Sequence, residues 1–147
     1  MPSASSFFTT EQMDEIKQSI LNAELDTSGE IRVHIENTCA GDVLVRAAKV
    51  FNILGMHKTE QRNGVLIYLA IKNRKFAIIG DSGINAVVAN DYWDTIKFSM
   101  LDAFRESRFT EGLTAAIQDV GLKLKSFFPY KADDKNELPD DISFGEE

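Results

Sequence analysis

The sequence predicts an α/β/α sandwich on a small mixed sheet, and three observations carry that expectation. Ile31, Val33 and Ile35 alternate with Arg32, His34 and Glu36, which is the period of a strand with one apolar face. Val65 to Ile71 and Phe76 to Ile79 are continuous apolar runs, as expected of strands covered on both faces. Between and around them, four stretches repeat their apolar residues at helical spacing.

In chain order, Thr9 and Gln12 have capping-box spacing, and Met13, Ile16, Ile20 and Leu21 follow on one face, predicting a helix over about residues 10–25. Ser28-Gly29 breaks it before the alternating strand. Gly41-Asp42 offers a turn and an N-cap, after which Leu44, Ala47, Ala48, Phe51 and Leu54 form a stripe that stops at Gly55. The link Lys72-Asn73-Arg74 makes the two apolar runs a hairpin. Trp93, Ile96, Met100, Leu101 and Phe104 mark a third helix. The fourth begins near Thr110 and ends before Pro129. A strand, a helix and a second strand in succession form a right-handed crossover, so strands one and two are expected to be parallel and strand three antiparallel to strand two.

Composition bounds the function. The chain has 147 residues, one cysteine and a net charge of −7. One cysteine excludes an intramolecular disulfide and any multi-thiolate metal site, and Cys39 reads as a small packed residue. From Tyr130 onward two lysines face seven acids, so the tail holds −5 of the −7 and the body is nearly neutral. That leaves no footprint for a phosphate backbone, and nucleic acid is set aside. No apolar run reaches the 18 residues needed to span a bilayer, and the amino terminus lacks the regions of a secretory signal, so a cytoplasmic protein without membrane association is expected. The expected organisation is a folded domain over residues 1–129 and an acidic, loosely docked tail over 130–147.

With the elements placed, the order of residues resembles a known family. SGEIRVHI, a helix ending in LG, RNGVLIYLAIKNRKFAIIGDSGIN and FTEGLTAAI together look like the TPM domain, also called TPM-phosphatase, over about residues 8–128. The resemblance implies an α/β/α sandwich. Plant thylakoid members are described as acid phosphatases or photosystem-repair factors, so it also implies phosphatase activity as one expectation. Many relatives carry an exported-protein leader or a membrane segment, which this sequence is not expected to have, and this chain carries GDSGIN where relatives more often have a Gly-Tyr-Gly type of loop.

The expected topology places a candidate site without help from the family. The end of strand three lies beside the starts of strands two and one, so Gly80 to Asn85 meets Glu30 and the Arg62-Asn63-Gly64 turn. The second helix ends at that edge with His57 and Glu60, and the third starts there with Asn90 and Asp91. Asp81, Asn85, Asn63, Glu30, His57, Glu60 and Asp91 therefore form a candidate rim, with Asp81 and Asn85 as the metal ligands. Such oxygen-rich groups suit Ca²⁺ or Mg²⁺, and a cation there could polarise a phosphoryl oxygen. The same residues are also good turns and caps. No organic cofactor is indicated.

The opposite edge is the rival site. It carries Cys39, Asp42 and the start of the second helix, with His34 read as a covered strand residue paired with its neighbours. Cys39 and Arg46 are one residue too far apart for a Cys-x5-Arg phosphate loop, and there is no Gly-x4-Gly-Lys-Ser/Thr loop and no zinc spacing. The reading that results is a binding module for an unidentified protein partner or ligand, with a divalent-cation site. Its alternative is a weak metal-assisted acid phosphatase.

Overall fold

The structure is a computed structural model and describes residues 4–130 and 142–145. Its elements are α1 (Thr10–Glu24), β1 (Glu30–Glu36), α2 (Val43–Ile53), β2 (Gly64–Ala70), β3 (Lys75–Gly80), α3 (Ser82–Asn85), α4 (Tyr92–Arg105), α5 (Phe109–Phe127) and β4 (Ile142–Phe144). The strands form one sheet in the order β3-β2-β1-β4. β1 is parallel to both β2 and β4, and β2 is antiparallel to β3, as the crossover and hairpin require.

The helix boundaries follow from local chemistry. The Thr9 hydroxyl accepts from Gln12 N at 3.1 Å while the Gln12 amide accepts from Thr9 N at 2.9 Å, closing the capping box of α1. Asp42 caps α2 through Leu44 N at 2.8 Å and Val45 N at 3.3 Å. That helix ends at Gly55, whose φ of 72° lies in the left-handed region that a side chain disfavours.

Strand alternation divides the core in two. Ile31, Val33 and Ile35 point into a large cluster with Ile16 and Ile20 of α1, Ile96 and Met100 of α4, and Leu113 and Ile117 of α5. On the other face Leu66, Tyr68, Ala70 and Ala77 pack against Ala47, Val50 and Phe51 of α2. Three long helices cover one face, and a single eleven-residue helix serves the other. Because α2 packs on β2 and β3, the row Arg32, His34 and Glu36 of β1 runs beside it, along a groove bounded by β4.

Two features differ from the sequence expectation of three strands and four helices. Ser82–Asn85 forms one helical turn where only a polar loop is expected. Ile142–Phe144 forms a fourth strand inside the stretch assigned to the tail, with Ile142 buried in the main cluster. The rest of that tail assignment lies outside the described residues. Three residues in an acidic stretch have no period of their own, and their pairing with Val33 to Ile35 is set by tertiary contacts more than 100 residues away in sequence.

Candidate functional site

Part of the expected rim comes together at the amino-terminal edge of β1 and β2. Glu30 pairs with Gly64 and Val65 with Gly80, and Asp81 N donates to Gly64 O at 2.9 Å, so Asp81, Asn63 and Glu30 are neighbours. Arg62 joins them: its Nε and Nη2 hold the two carboxylate oxygens of Asp81 at 2.7 and 2.9 Å, and Asp81 Oδ1 also accepts from Ser82 N at 2.7 Å. Asn85 uses both ends of its amide, donating to Gly80 O at 2.8 Å and accepting from Trp93 Nε1 at 2.7 Å. Asn63 is 1% exposed, donates to Ser28 Oγ at 3.3 Å, and leaves its Oδ1 without a partner among the described residues. His57 sits in the turn after α2 with a buried Nδ1, and Glu60 is exposed in the following loop. Asp91 occupies the N-cap position of α4 without a side-chain cap bond. Among the described residues no group of three or more His, Cys, Asp or Glu is arranged to hold a metal ion.

A second constellation lies at the carboxyl edge, around the end of β1 and the start of α2. Glu36 is 5% exposed, and three side chains donate to it. Arg46 forks onto it through Nε at 3.0 Å and Nη2, the Tyr68 hydroxyl donates to Oε2, and His34 Nε2 lies 3.2 Å from Oε1. Burial alone would raise the Glu36 pKa, but the bonds from Arg46, Tyr68 and His34 outweigh it and hold the carboxyl at about 2. Burial next to that carboxylate raises the Tyr68 phenol. Burial also lowers the His34 pKa, although the Glu36 bond opposes it. A neutral His34 facing a carboxylate must carry its proton on Nε2, so Nδ1 accepts from Ser143 Oγ at 2.7 Å and ties β4 to β1.

The loop between β1 and α2 is held from the hairpin. Cys39 N donates to Asn73 Oδ1 at 2.7 Å, and Lys75 Nζ donates to Cys39 O and Gly41 O at 3.2 and 2.9 Å. Cys39 is buried, with its thiol 3.6 Å from Gly41 O, in keeping with a packing role. Between this loop, α2 and β4 lies a cleft of about 640 Å³ whose floor holds His34 and Glu36 and whose wall is the Val45, Arg46, Lys49 and Ile53 face of α2. It sits outside the carboxyl ends of parallel strands. There β1 is flanked by β2, reached through α2 on one face, and by β4, reached through α4 and α5 on the other. Open α/β sheets bind ligands at such a switch point.

Glu36, Tyr68 and Arg46 were not singled out by sequence reasoning, although a signal for them existed. If β2 is buried on both faces, its parallel neighbour is covered too, so a charged row on β1 must find partners inside. The register then sets His34 beside Tyr68.

Fold and cleft together define an α/β/α domain with a preformed pocket outside its strand ends. Comparison with known proteins makes that class specific. The family model described as the TPM domain matches residues 3–122, and the chain belongs to that family. Its structure is similar to the NMR structure of the BA42 protein from the psychrophilic bacterium Bizionia argentinensis, with a TM-score of 0.90 and 45% identity over 99% of this chain and 100% of that one. The fold is also shared with the N-terminal domain of the cg2496 protein from Corynebacterium glutamicum (TM-score 0.64, 15% identity, 80% of this chain and 74% of that one). A third similar structure is the N-terminal domain of a protein from P. gingivalis (TM-score 0.67, 17% identity, 81% and 77%). No curated protein matches. Among the described residues no helix is long and apolar enough to cross a membrane.

Proposed function

We propose that this TPM domain is a binding module, and that its ligand sits in the cleft between α2, β4 and the Asn37 to Asp42 loop. The observation that carries this reading is the Arg46 guanidinium, clamped from behind by buried Glu36 and open to the cleft in front. Preorganised polar groups beside apolar walls are what a ligand site needs.

The chemistry favours binding over turnover. A general base needs a free lone pair and a pKa near the working pH, whereas Glu36 accepts from three side chains and is held at about 2. Both ring nitrogens of His34 are engaged. A protein partner held by the acidic segment 130–147 is the other form of the binding expectation, and most of that segment lies outside the described residues.

Divalent-cation binding at the Asp81 rim, with metal-assisted phosphatase chemistry as its extension, is a second reading. The buried Oδ1 of Asn63, without a partner among the described residues, favours it. An incoming Ca²⁺ or Mg²⁺ would have to draw Asp81 away from Arg62.

Amide NMR tests both readings in one protein sample. Screening mixtures of small-molecule fragments is expected to shift the amides of Glu36, Ala40, Arg46 and Lys49 together. Hits that map elsewhere, or none at all, would remove the cleft reading. A calcium or magnesium titration that moves Asp81, Asn85 and Asn63 together would support the second, as would metal-dependent hydrolysis of an aryl phosphate lost in Asp81→Ala.

A further inference from the structure

The structure assigns a ligand class to this cleft: we infer that it takes a small amphiphilic anion, with an oxyanion head on Arg46 and Lys49 and an apolar body along Val45 and Ile53. The inference rests on the binding reading above and specifies what the cleft selects.

Charge is arranged asymmetrically across the site. The anion on the floor, Glu36, points inward and is satisfied by Arg46, Tyr68 and His34. The other acid of the lining, Asp42, is turned to the first amides of α2 as its cap. Cations face outward. Arg46 gives Nε and Nη2 to Glu36, and its side chain stays 39% exposed at the cleft. A guanidinium held on one edge presents its other edge in a fixed direction, which suits planar or tetrahedral oxyanions. Lys49, one helical turn beyond Val45, is exposed and forms no ion pair among the described residues. In a chain of net charge −7, Lys49 places a cation without an ion pair among the described residues at the cleft mouth beside Arg46, and such a cation attracts anions locally.

The apolar half has the same helical logic. Val45, Lys49 and Ile53 recur every four residues and so lie on one face of α2, flanked by Arg46 and Val50. Val45 is 56% exposed and Ile53 73%, although each sits in a helix whose inner face already buries Ala47, Val50 and Phe51. They add nothing to the core, and they continue the cleft wall past the two cations. A cleft of about 640 Å³ falls within the range that encloses small molecules.

The test is an amide NMR titration of the intact chain with four probes: hexanoate, hexyl phosphate, 1-hexanol and inorganic phosphate. Hexanoate and hexyl phosphate are expected to shift the amides from Asn37 to Gly41 and at Arg46 and Lys49, with whichever head fits better binding more tightly. Both should bind at least about tenfold more tightly than hexanol or phosphate. Lys49→Glu, a change at an exposed position, should weaken both anions by about tenfold and leave hexanol unchanged. Hexanol binding as tightly as hexanoate would overturn the anion class while leaving the cleft as a binding site. Inorganic phosphate as tight as hexyl phosphate would overturn the apolar half. If no probe moves any cleft amide, the inference and the binding reading fall together.

Discussion

Glu36→Gln is expected to lower folding stability by about 3 kcal/mol at pH 7, and that difference is expected to shrink nearly to nothing by pH 2. The amide keeps the size of the carboxylate and can still accept from Tyr68, but its NH2 then faces the donors of Arg46 and His34, so the loss combines the charge with those two bonds. Removing one member of a buried, hydrogen-bonded ion pair costs on this order because the remaining groups keep their desolvation and lose their partner. The pH dependence has a definite sign. The Glu36 pKa falls from 4.5 to about 2 on folding, through donation from Arg46, Tyr68 and His34 that overcomes burial. A depressed carboxylate stabilises the fold above its unfolded value, here about 4.5, and that contribution drains away as the pH falls through about 2. Urea denaturation of both proteins at pH 7, 4.5, 3 and 2 supplies the comparison. A constant difference across that range would mean that packing, and not the ion pair, sets the cost.

The folding pattern shows how much of this was legible in advance. Alternation in Ile31 to Glu36, apolar runs at Val65 and Phe76 and the three-residue link between them sufficed for a parallel pair and a hairpin, because period and loop length fix those choices locally. The same topology placed Gly80 to Asn85 against Arg62 to Gly64 and Glu30, and those residues do meet. What the pattern could not show is which side chain takes which partner. The sequence offers Asp81 as a metal ligand, but Arg62, the first residue of the expected turn, reaches it with two bonds from a backbone at φ 53°. Strand β4 was illegible for another reason: its stability comes from Ile142 in the core and Ser143 on His34, contacts that exist only after the sheet has formed. From the strand period alone, His34 on the second face of β1 pairs with its neighbours in sequence. The helix that covers the neighbouring strand supplies Arg46, and this turns that face into the base of a cleft.

Gly83→Ala should be the other severe substitution, with a loss of about 3 kcal/mol or more, and it probes the opposite edge. A Cβ at Gly83 would lie 2.0 Å from Gln61 O and 2.6 Å from Arg62 O. Both are backbone atoms, so no rotamer change relieves the overlap. The loop cannot retreat freely either, because Gly83 N donates to Arg62 O at 2.8 Å and Arg62 is bound to Asp81. Relief requires shifting residues 61–62 and giving up one of those bonds, a cost added to the steric one. Gly41→Ala is the matched control, since its Cβ would meet nothing within 4 Å, and a change within about 0.5 kcal/mol is expected there. Thermal or urea unfolding ranks the two. If the Gly83 variant is as stable as the Gly41 variant, the contact between the α3 turn and the Arg62 loop is looser than its geometry indicates. Because the cleft lies at the far edge of the sheet, a folded Gly83→Ala protein should show shifted amides at Gln61 to Gly64 and Asp81 to Asn85 while those of Glu36, Arg46 and Lys49 stay in place. That pattern would show that the Arg62 edge can be perturbed without disturbing the cleft.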